Sequence, residues 1–430
     1  MNKLKIILVL CLLPLGIFAQ KRQQSGPKKT VKTILKNGTV INGKLHSPAV
    51  IADVYLEDGL ITDVIPKGQP QKAGYEAAIV MDLNGKFILP GLIDTHVHLG
   101  TITEGTIEEL NKRTHHDLER VLMGGITTVR DMGGDGRLVA GYQRSANLDQ
   151  IPSPDIFYVA FLAGPNYMKM MGDREILGLE NQSIGWRQTV NEQDNAHDII
   201  AMAKGSGATG IKIYSDISGA MVKKLATEAT LQKMQVWSHA TIMPAIPSEA
   251  VNAGVKVISH AHDVPWEQVG KNGKMVNDHN GYSALKMDFP QLNPLMALMK
   301  KNNVILDATI YLSSLNKGYD VNAFYITKRM HQAGVKVSVG TDWMIPEGTA
   351  LPNIHEEMAL MVSKCGFSPE EVIHAAAMIG AEATGLSDRG QITEGKRADI
   401  LILNSNPLEN ISATKDIFGV IKNGKFYPKS

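Results

Sequence analysis

The sequence predicts an α/β chain: a (β/α)8 TIM barrel with a small composite β-sandwich domain formed by both termini. Three observations lead there. Apolar, strand-like runs alternate eight times with helical patterns through the middle of the chain. Several of those runs end in histidine or aspartate. Both ends of the chain hold short strands and turn signals instead. Alternating βα units imply a parallel sheet, and eight of them favour a closed barrel over an open sheet.

The elements follow in order. Lys3 and Lys5, the apolar run Ile6 to Phe18 and then Ala19 have the form of a secretion signal. The run is too short for a good membrane span. Residues 1–19 are read as a signal peptide, and the polar, basic residues 20–30 as a disordered leader. The expected location is therefore secreted and periplasmic, with no stable membrane insertion after cleavage. Cys11 leaves with the signal, so Cys365 has no intrachain partner for a disulfide.

Residues 31–88 and 386–430 are assigned to the β-sandwich. Thr33-Ile34-Leu35 leads to Asn37-Gly38, Val40-Ile41 to Asn42-Gly43, and the alternating run Ala52 to Leu56 to Glu57-Asp58-Gly59. Such dipeptides favour hairpin turns because Asn, Asp and Gly tolerate positive φ. At the far end, Gly390 to Ile392, Ala398 to Leu403 and Ile417 to Ile421 read as strands, the last closed by Asn423-Gly424. Residues 89–385 form the barrel. Its strands are expected at Gly91 to Leu99, Thr127 to Asp131, Ile156 to Phe161, Gly210 to Tyr214, Gln235 to His239, Val255 to His260, Val304 to Ala308 and Val335 to Asp342. Helices are expected at Ile107 to Met123, Ala196 to Lys204 and Gly219 to Met234.

With 430 residues and 43% hydrophobic content, the chain can build a large core. Its formal net charge of +1, without a basic or acidic block, gives no electrostatic case for nucleic acid. A small-molecule substrate is the expected partner, and a homo-oligomer is compatible with the sequence.

His96 and His98 stand at i and i+2 in a strand, so both imidazoles can face one point. In a barrel of this kind, functional residues sit at the C-terminal ends of the strands. Lys212, His239, His260 and Asp342 fall there as well. Six polar groups from five strands thus converge on one mouth. Neutral imidazole suits zinc and similar ions. A lone strand-end histidine is more often structural than a ligand; the shared position is the argument. His262, two residues past His260, competes for the same role. His115 and His116 point about 100° apart on their helix and do not share a target. His374, among alanines, reads as structural.

The chain resembles the metal-dependent amidohydrolase superfamily. The resemblance rests on Leu89-Pro90-Gly91-Leu92-Ile93-Asp94-Thr95-His96-Val97-His98, Gly125-Ile126-Thr127-Thr128-Val129-Arg130-Asp131, Gly340-Thr341-Asp342 and Gly395-Lys396-Arg397-Ala398-Asp399-Ile400. Within the superfamily it is most similar to the imidazolonepropionase-like and Xaa-Pro dipeptidase (prolidase) group. The resemblance implies a hydrolase of an amide or other C–N bond, acting on a dipeptide, an N-acyl amino acid or a cyclic amide. It also implies two divalent metal ions, zinc by default, with manganese, cobalt and iron also accepted by such ligands. His96, His98 and Asp342 would hold the first ion, His239 and His260 the second, and an N-carboxylated Lys212 would bridge them. Burial lowers a lysine's pKa, and the neutral amine can react with carbon dioxide. A metal-bridging hydroxide would attack the carbonyl, with Asp342 as the catalytic proton carrier.

His355 matches a His-Glu segment of the family that does not bind metal. Where relatives carry Gly-Gly-His after the third strand, this chain has Asn166-Tyr167-Met168-Lys169-Met170-Met171. Tyr311 and Tyr214 are the candidates for holding a substrate carboxylate, with Arg187 and Arg329 as further options. Two other readings stay open. One is a mononuclear deaminase or imidazolonepropionase-type hydrolase without the modified lysine. The other is a non-catalytic extracytoplasmic binding protein on the same scaffold.

Overall fold

The computed structural model describes residues 31–101, 106–171, 184–269, 285–315, 318–342 and 351–429. The signal peptide and leader expected in residues 1–30 lie outside this range. All eight expected barrel strands form: β6 (Leu92–Val97), β7 (Ile126–Asp131), β8 (Asp155–Ala163), β10 (Gly210–Ile213), β11 (Gln235–His239), β12 (Val257–Ser259), β13 (Ile305–Asp307) and β14 (Val337–Ser338). They pair in that order, all parallel, and a short strand β9 (Arg187–Thr189) adds to β8. The first and last strands meet where the N–H of Thr95 donates to the carbonyl of Val339 at 3.0 Å.

Helices cover the outside. The helix Ile107–Met123 has the expected bounds. Thr106 and Glu109 form a capping box at its start, and Leu110, Leu118, Val121 and Leu122 bury one stripe against the strands. The helix expected to reach Met234 stops at Leu231, because Lys233 adopts a positive φ of 62° and ends the ladder. Inside the barrel, Met132, Val159, Trp237, Val257 and Ile305 form a separate apolar plug.

Both termini build one second, mostly antiparallel sheet. Its strands are β1 (Lys32–Val40), β2 (Val50–Glu57), β3 (Leu60–Pro66), β4 (Ile79–Asp82), β5 (Phe87–Pro90), β15 (Ile400–Leu403), β16 (Ile417–Lys422) and β17 (Lys425–Pro428). The pairing of β5 with both β1 and β15 joins the N-terminal and C-terminal blocks. The sheet folds back on itself where Ile61 N–H donates to Lys396 O at 2.8 Å. Leu35, Val54, Leu56, Ile88, Ile400 and Ile402 fill the space within.

Three expectations change here. Asn37-Gly38 is not a hairpin turn: β1 runs straight through it, with Asn37 at φ 61° and a register shift between Leu35 and Gly38. A bulge uses the same backbone freedom as a turn. Gly390 to Ile392 is not a strand; its Ile392 N–H reaches Asn42 O at 3.1 Å outside any ladder. Leu89 and Pro90, assigned above to the barrel, pair with Leu401 and Ile400 in the second sheet, so the barrel starts with β6. The two tight turns Asp58-Gly59 and Asn423-Gly424 do form, each with two successive positive φ values, and they pack together.

Candidate metal centre

His96 lies on β6, with His98 just beyond its end, and both face the mouth. The loop after β7 positions His98. The Asp131 carboxylate accepts from the N–H groups of Leu99, Gly133 and Gly134 at 2.5, 3.2 and 2.8 Å. A side chain at Gly134 would drive its Cβ to 1.8 Å from Leu99 O, so only glycine allows this crossing.

His239 ends β11. His260 follows β12 at φ 74°, and Asp342 follows β14 at φ 54°. His260 comes directly after its strand and Asp342 four residues after its own, both in left-handed backbone. Asp342 N–H donates to His96 O at 2.8 Å, which ties the eighth strand's end to the first.

The geometry brings five of the six expected residues into direct range. Asp342 Oδ1 lies 2.9 Å from His98 Nε2 and 3.4 Å from His96 Nε2, and Asp342 Oδ2 lies 3.7 Å from His260 Nδ1. His260 Nε2 lies 3.1 Å from His239 Nε2. Burial lowers the pKa of His239 and His260 well below normal, reinforced at His239 by Lys212 and at His260 by His239. Burial also raises the Asp342 carboxyl, but His96, His98 and Lys212 outweigh it and hold the group low.

The sixth residue, Lys212, is fully buried on β10. Its Nζ donates to Ser259 Oγ at 2.6 Å and lies 5.8 Å from the centre of the Tyr214 ring. That ring packs at a tilt against His239, 3.9 Å between centroids. Desolvation brings the Lys212 pKa down to about 7, with Asp307 opposing and Arg130 assisting.

The residues fit a cation. His96 Nδ1 faces Asp307 Oδ2 at 2.8 Å, and His98 Nδ1 faces the Gly133 carbonyl at 3.3 Å. Asp307 is an anionic acceptor, so His96 Nδ1 carries the proton and His96 Nε2 presents a lone pair. That lone pair points toward Asp342 Oδ1, which His98 Nε2 also reaches. His96 Nε2 is buried without a hydrogen-bond partner, aimed at a carboxylate. His96, His260 and Asp342 offer ligand atoms within 4.8 Å of one another. A second partner that fixes an imidazole's proton on the far nitrogen is the usual support for a metal-bound histidine.

Sequence reasoning missed that support. Asp307, at the end of β13, is the hub. It accepts from Thr95 Oγ1 at 2.9 Å, from Ser259 Oγ at 3.1 Å and from Arg130 Nη2 at 3.1 Å, besides His96. Burial alone would raise its pKa, but His96, Arg130 and Lys212 hold it at about 2. A single acid inside the apolar run Val304 to Ala308 was the available signal. His260 Nδ1 meets Thr309 Oγ1 at 2.9 Å. Thr309 in turn precedes two N–H groups, of Ile310 and Tyr311, that donate to buried Glu357 at 2.9 and 2.5 Å.

The remaining candidates separate. His262 turns away from the cluster to Ser313 Oγ at 2.9 Å and Asp263 at 3.4 Å. His115 and His116 are exposed on their helix. His355 is buried between Gly124 O and Thr414 Oγ1, and His374 meets Gly43 O. Tyr214 lies against His239, whereas Tyr311 is the second residue of the short helix Ile310–Ser314. Arg187 is buried on β9, and Arg329 pairs with Asn293 and Tyr325 on the outside.

The amidohydrolase family profile matches residues 87–427, and the chain belongs to that family. It is 26% identical over 406 residues to an enamidase of Eubacterium barkeri, with 91% of each chain covered. It is 23% identical over 380 residues to an ochratoxinase of Aspergillus niger, covering 79% of this chain and 75% of that one. Two solved structures share the fold. A Xaa-Pro dipeptidase with bound methionine superposes with a TM-score of 0.71 at 21% identity, over 92% of this chain and 100% of the other. The A. niger ochratoxinase gives a TM-score of 0.74 at 19% identity, over 94% and 97%. The chain is thus a metal-dependent hydrolase of amide-type C–N bonds, built on a barrel with a His/Asp group suited to a metal ion.

Proposed function

We propose that the chain is a binuclear hydrolase of dipeptides, N-acyl amino acids or related amides, working outside the cytoplasm after loss of its signal peptide. The observation that supports it best is the convergence of the His96 and His98 Nε2 atoms on Asp342, with His260 and His239 alongside. In this reading His96, His98 and Asp342 hold one divalent ion, zinc by default, and His239 and His260 a second. Bound there, the ions would polarise the substrate carbonyl and lower the pKa of water.

The chain's own residues supply the rest. Lys212, with its pKa near 7, is in good part a neutral amine at neutral pH. Its nitrogen can bond to the carbon of carbon dioxide and release one proton, giving a carbamate anion. That would give Lys212, otherwise unable to accept, two oxygens able to help hold a cation. Asp307 keeps the His96 proton on Nδ1. Asp342, held ionised, takes a proton from the attacking water on a carboxylate oxygen and passes it to the leaving nitrogen, which then departs as a neutral amine. Tyr214, beside His239, is the better placed of the two tyrosines to meet a substrate group.

The test is metal content with activity. Purified protein reconstituted with zinc should hold close to two ions per chain and hydrolyse members of a dipeptide and N-acyl amino acid library. The Lys212→Ala variant should lose activity. One ion per chain with an active Lys212→Ala variant would instead establish the mononuclear reading. Full loading without turnover of any amide or ester would establish a binding protein.

A further inference from the structure

We infer that the mouth holds a subsite for a flat apolar ring of the substrate, formed by Phe161, Tyr167 and Tyr214 beside His239. This rests on the hydrolase reading above and adds a substrate class to it. Phe161, Ala163 and Met168, with Tyr167 and Tyr214 packed on them, form an apolar cluster separate from the main core. It sits at the functional end of the barrel: Ala163 ends β8, and Tyr214 follows β10.

The three rings form a continuous wall. Phe161 and Tyr214 lie 4.2 Å apart between centroids, Tyr167 and Tyr214 5.4 Å, and Phe161 and Tyr167 6.2 Å. The wall runs on into the His239 imidazole, 3.9 Å from Tyr214. Phe161 is its buried base, while Tyr167 and Tyr214 are only partly covered.

Gly133 joins the ring wall to the candidate ligands. A Cβ there would lie 3.3 Å from Phe161 Cδ2 and 3.5 Å from His98 Nδ1, between the ring wall and the candidate metal ligands. With Tyr214 beside His239 and Phe161 one backbone step from His98, a substrate whose scissile bond reaches the histidines would lay its flanking group along these rings. Aromatic faces favour another ring in offset or edge contact, and burial of that ring adds to binding without any polar partner.

The experiment uses full-length, zinc-reconstituted protein and the variants Tyr167→Ala and Tyr167→Phe. Matched amides differ only by benzyl in place of methyl, in one series on the acyl side and in another on the amine side. The expected result is a preference for the benzyl member in at least one series, on the order of tenfold in kcat/KM. Tyr167→Ala should abolish that preference and Tyr167→Phe should keep it, since the ring and not the hydroxyl forms the wall. Equal rates in both series, or a preference that survives Tyr167→Ala, overturns the inference and leaves the hydrolase reading standing. If no amide is turned over, the hydrolase reading fails, and calorimetry decides the subsite. Phenylacetate binding tighter than acetate, with the difference lost in Tyr167→Ala, supports it; equal binding overturns it.

Discussion

Gly340 lies directly against Asp307: a Cβ added at position 340 would stand 2.2 Å from Asp307 Oδ1 and 2.9 Å from His96 Cβ. The glycine lets the eighth strand run close enough to the seventh for its next residues, Thr341 and Asp342, to reach the mouth. Thr341 then donates from Oγ1 to Asp94 at 2.8 Å, which locks the turn.

Gly340→Ala should therefore push Asp307 off the His96 imidazole. We expect a loss of zinc affinity of about tenfold or more, with destabilisation of about 1–3 kcal/mol from overpacking. Competition with a chelator and a denaturant titration measure the two. Unchanged zinc affinity would show that the Asp307–His96 contact does not tune the site.

Asp307→Asn keeps the shape and removes the charge. The imidazole loses its anionic partner, so zinc affinity should fall by roughly 10–100-fold. Arg130 is fully buried and pairs with Asp307 at 3.1 Å. Stranding its charge should cost about 3–5 kcal/mol of stability. A variant as stable as the parent would mean that Arg130 finds compensation elsewhere.

His355 makes stability pH-dependent away from the candidate metal centre. Burial depresses its pKa from 6.5 to about 4, partly offset by the Gly124 carbonyl. Between those values the unfolded chain binds a proton that the folded chain does not. Stability is therefore full above pH 6.5 and declines as pH falls toward 4, by about 3 kcal/mol at most. Unfolding curves at pH 7 and pH 5 should differ in the parent, and His355→Gln should flatten the difference. An equal slope in both proteins would assign the acid sensitivity to other groups.

Asp155 joins the barrel to the second sheet. It meets Arg389 at 2.6 Å, Lys422 at 2.7 Å and Arg397 at 3.1 Å. Burial raises this carboxyl, but the three cations outweigh it and lower its pKa. Asp155→Asn should destabilise the chain by about 3 kcal/mol, because buried cations lose their counter-ion. Activity per folded molecule should hold, since the cluster lies at the base of β8, away from the mouth. A drop in kcat at full folding would show that the two sheets communicate.

Much of the fold was legible. Apolar runs with regular helical spacing between them are strong local signals, and Ile107 to Met123 shows the capping box in its own letters. The candidate ligands were legible for a related reason: His96, His98, Lys212, His239, His260 and Asp342 each end or interrupt an apolar strand. Turn signals were less decisive. Asn37-Gly38 and Asn423-Gly424 look alike as dipeptides, yet one bulges a strand and the other closes a hairpin. The difference lies in what pairs alongside.

The sequence alone determined which side chains could bind a metal and at which strand ends they stand, because strand period and element order are local properties. Tertiary structure decided how those side chains are aimed and charged. Asp307 reaches His96 across 211 positions, and Thr309 reaches His260 across 49. Only barrel closure brings such groups within hydrogen-bond range: burial in a dry interior then lowers Lys212 to about 7, while His96, Arg130 and Lys212, gathered from three other strands, hold Asp307 at about 2 against its own burial.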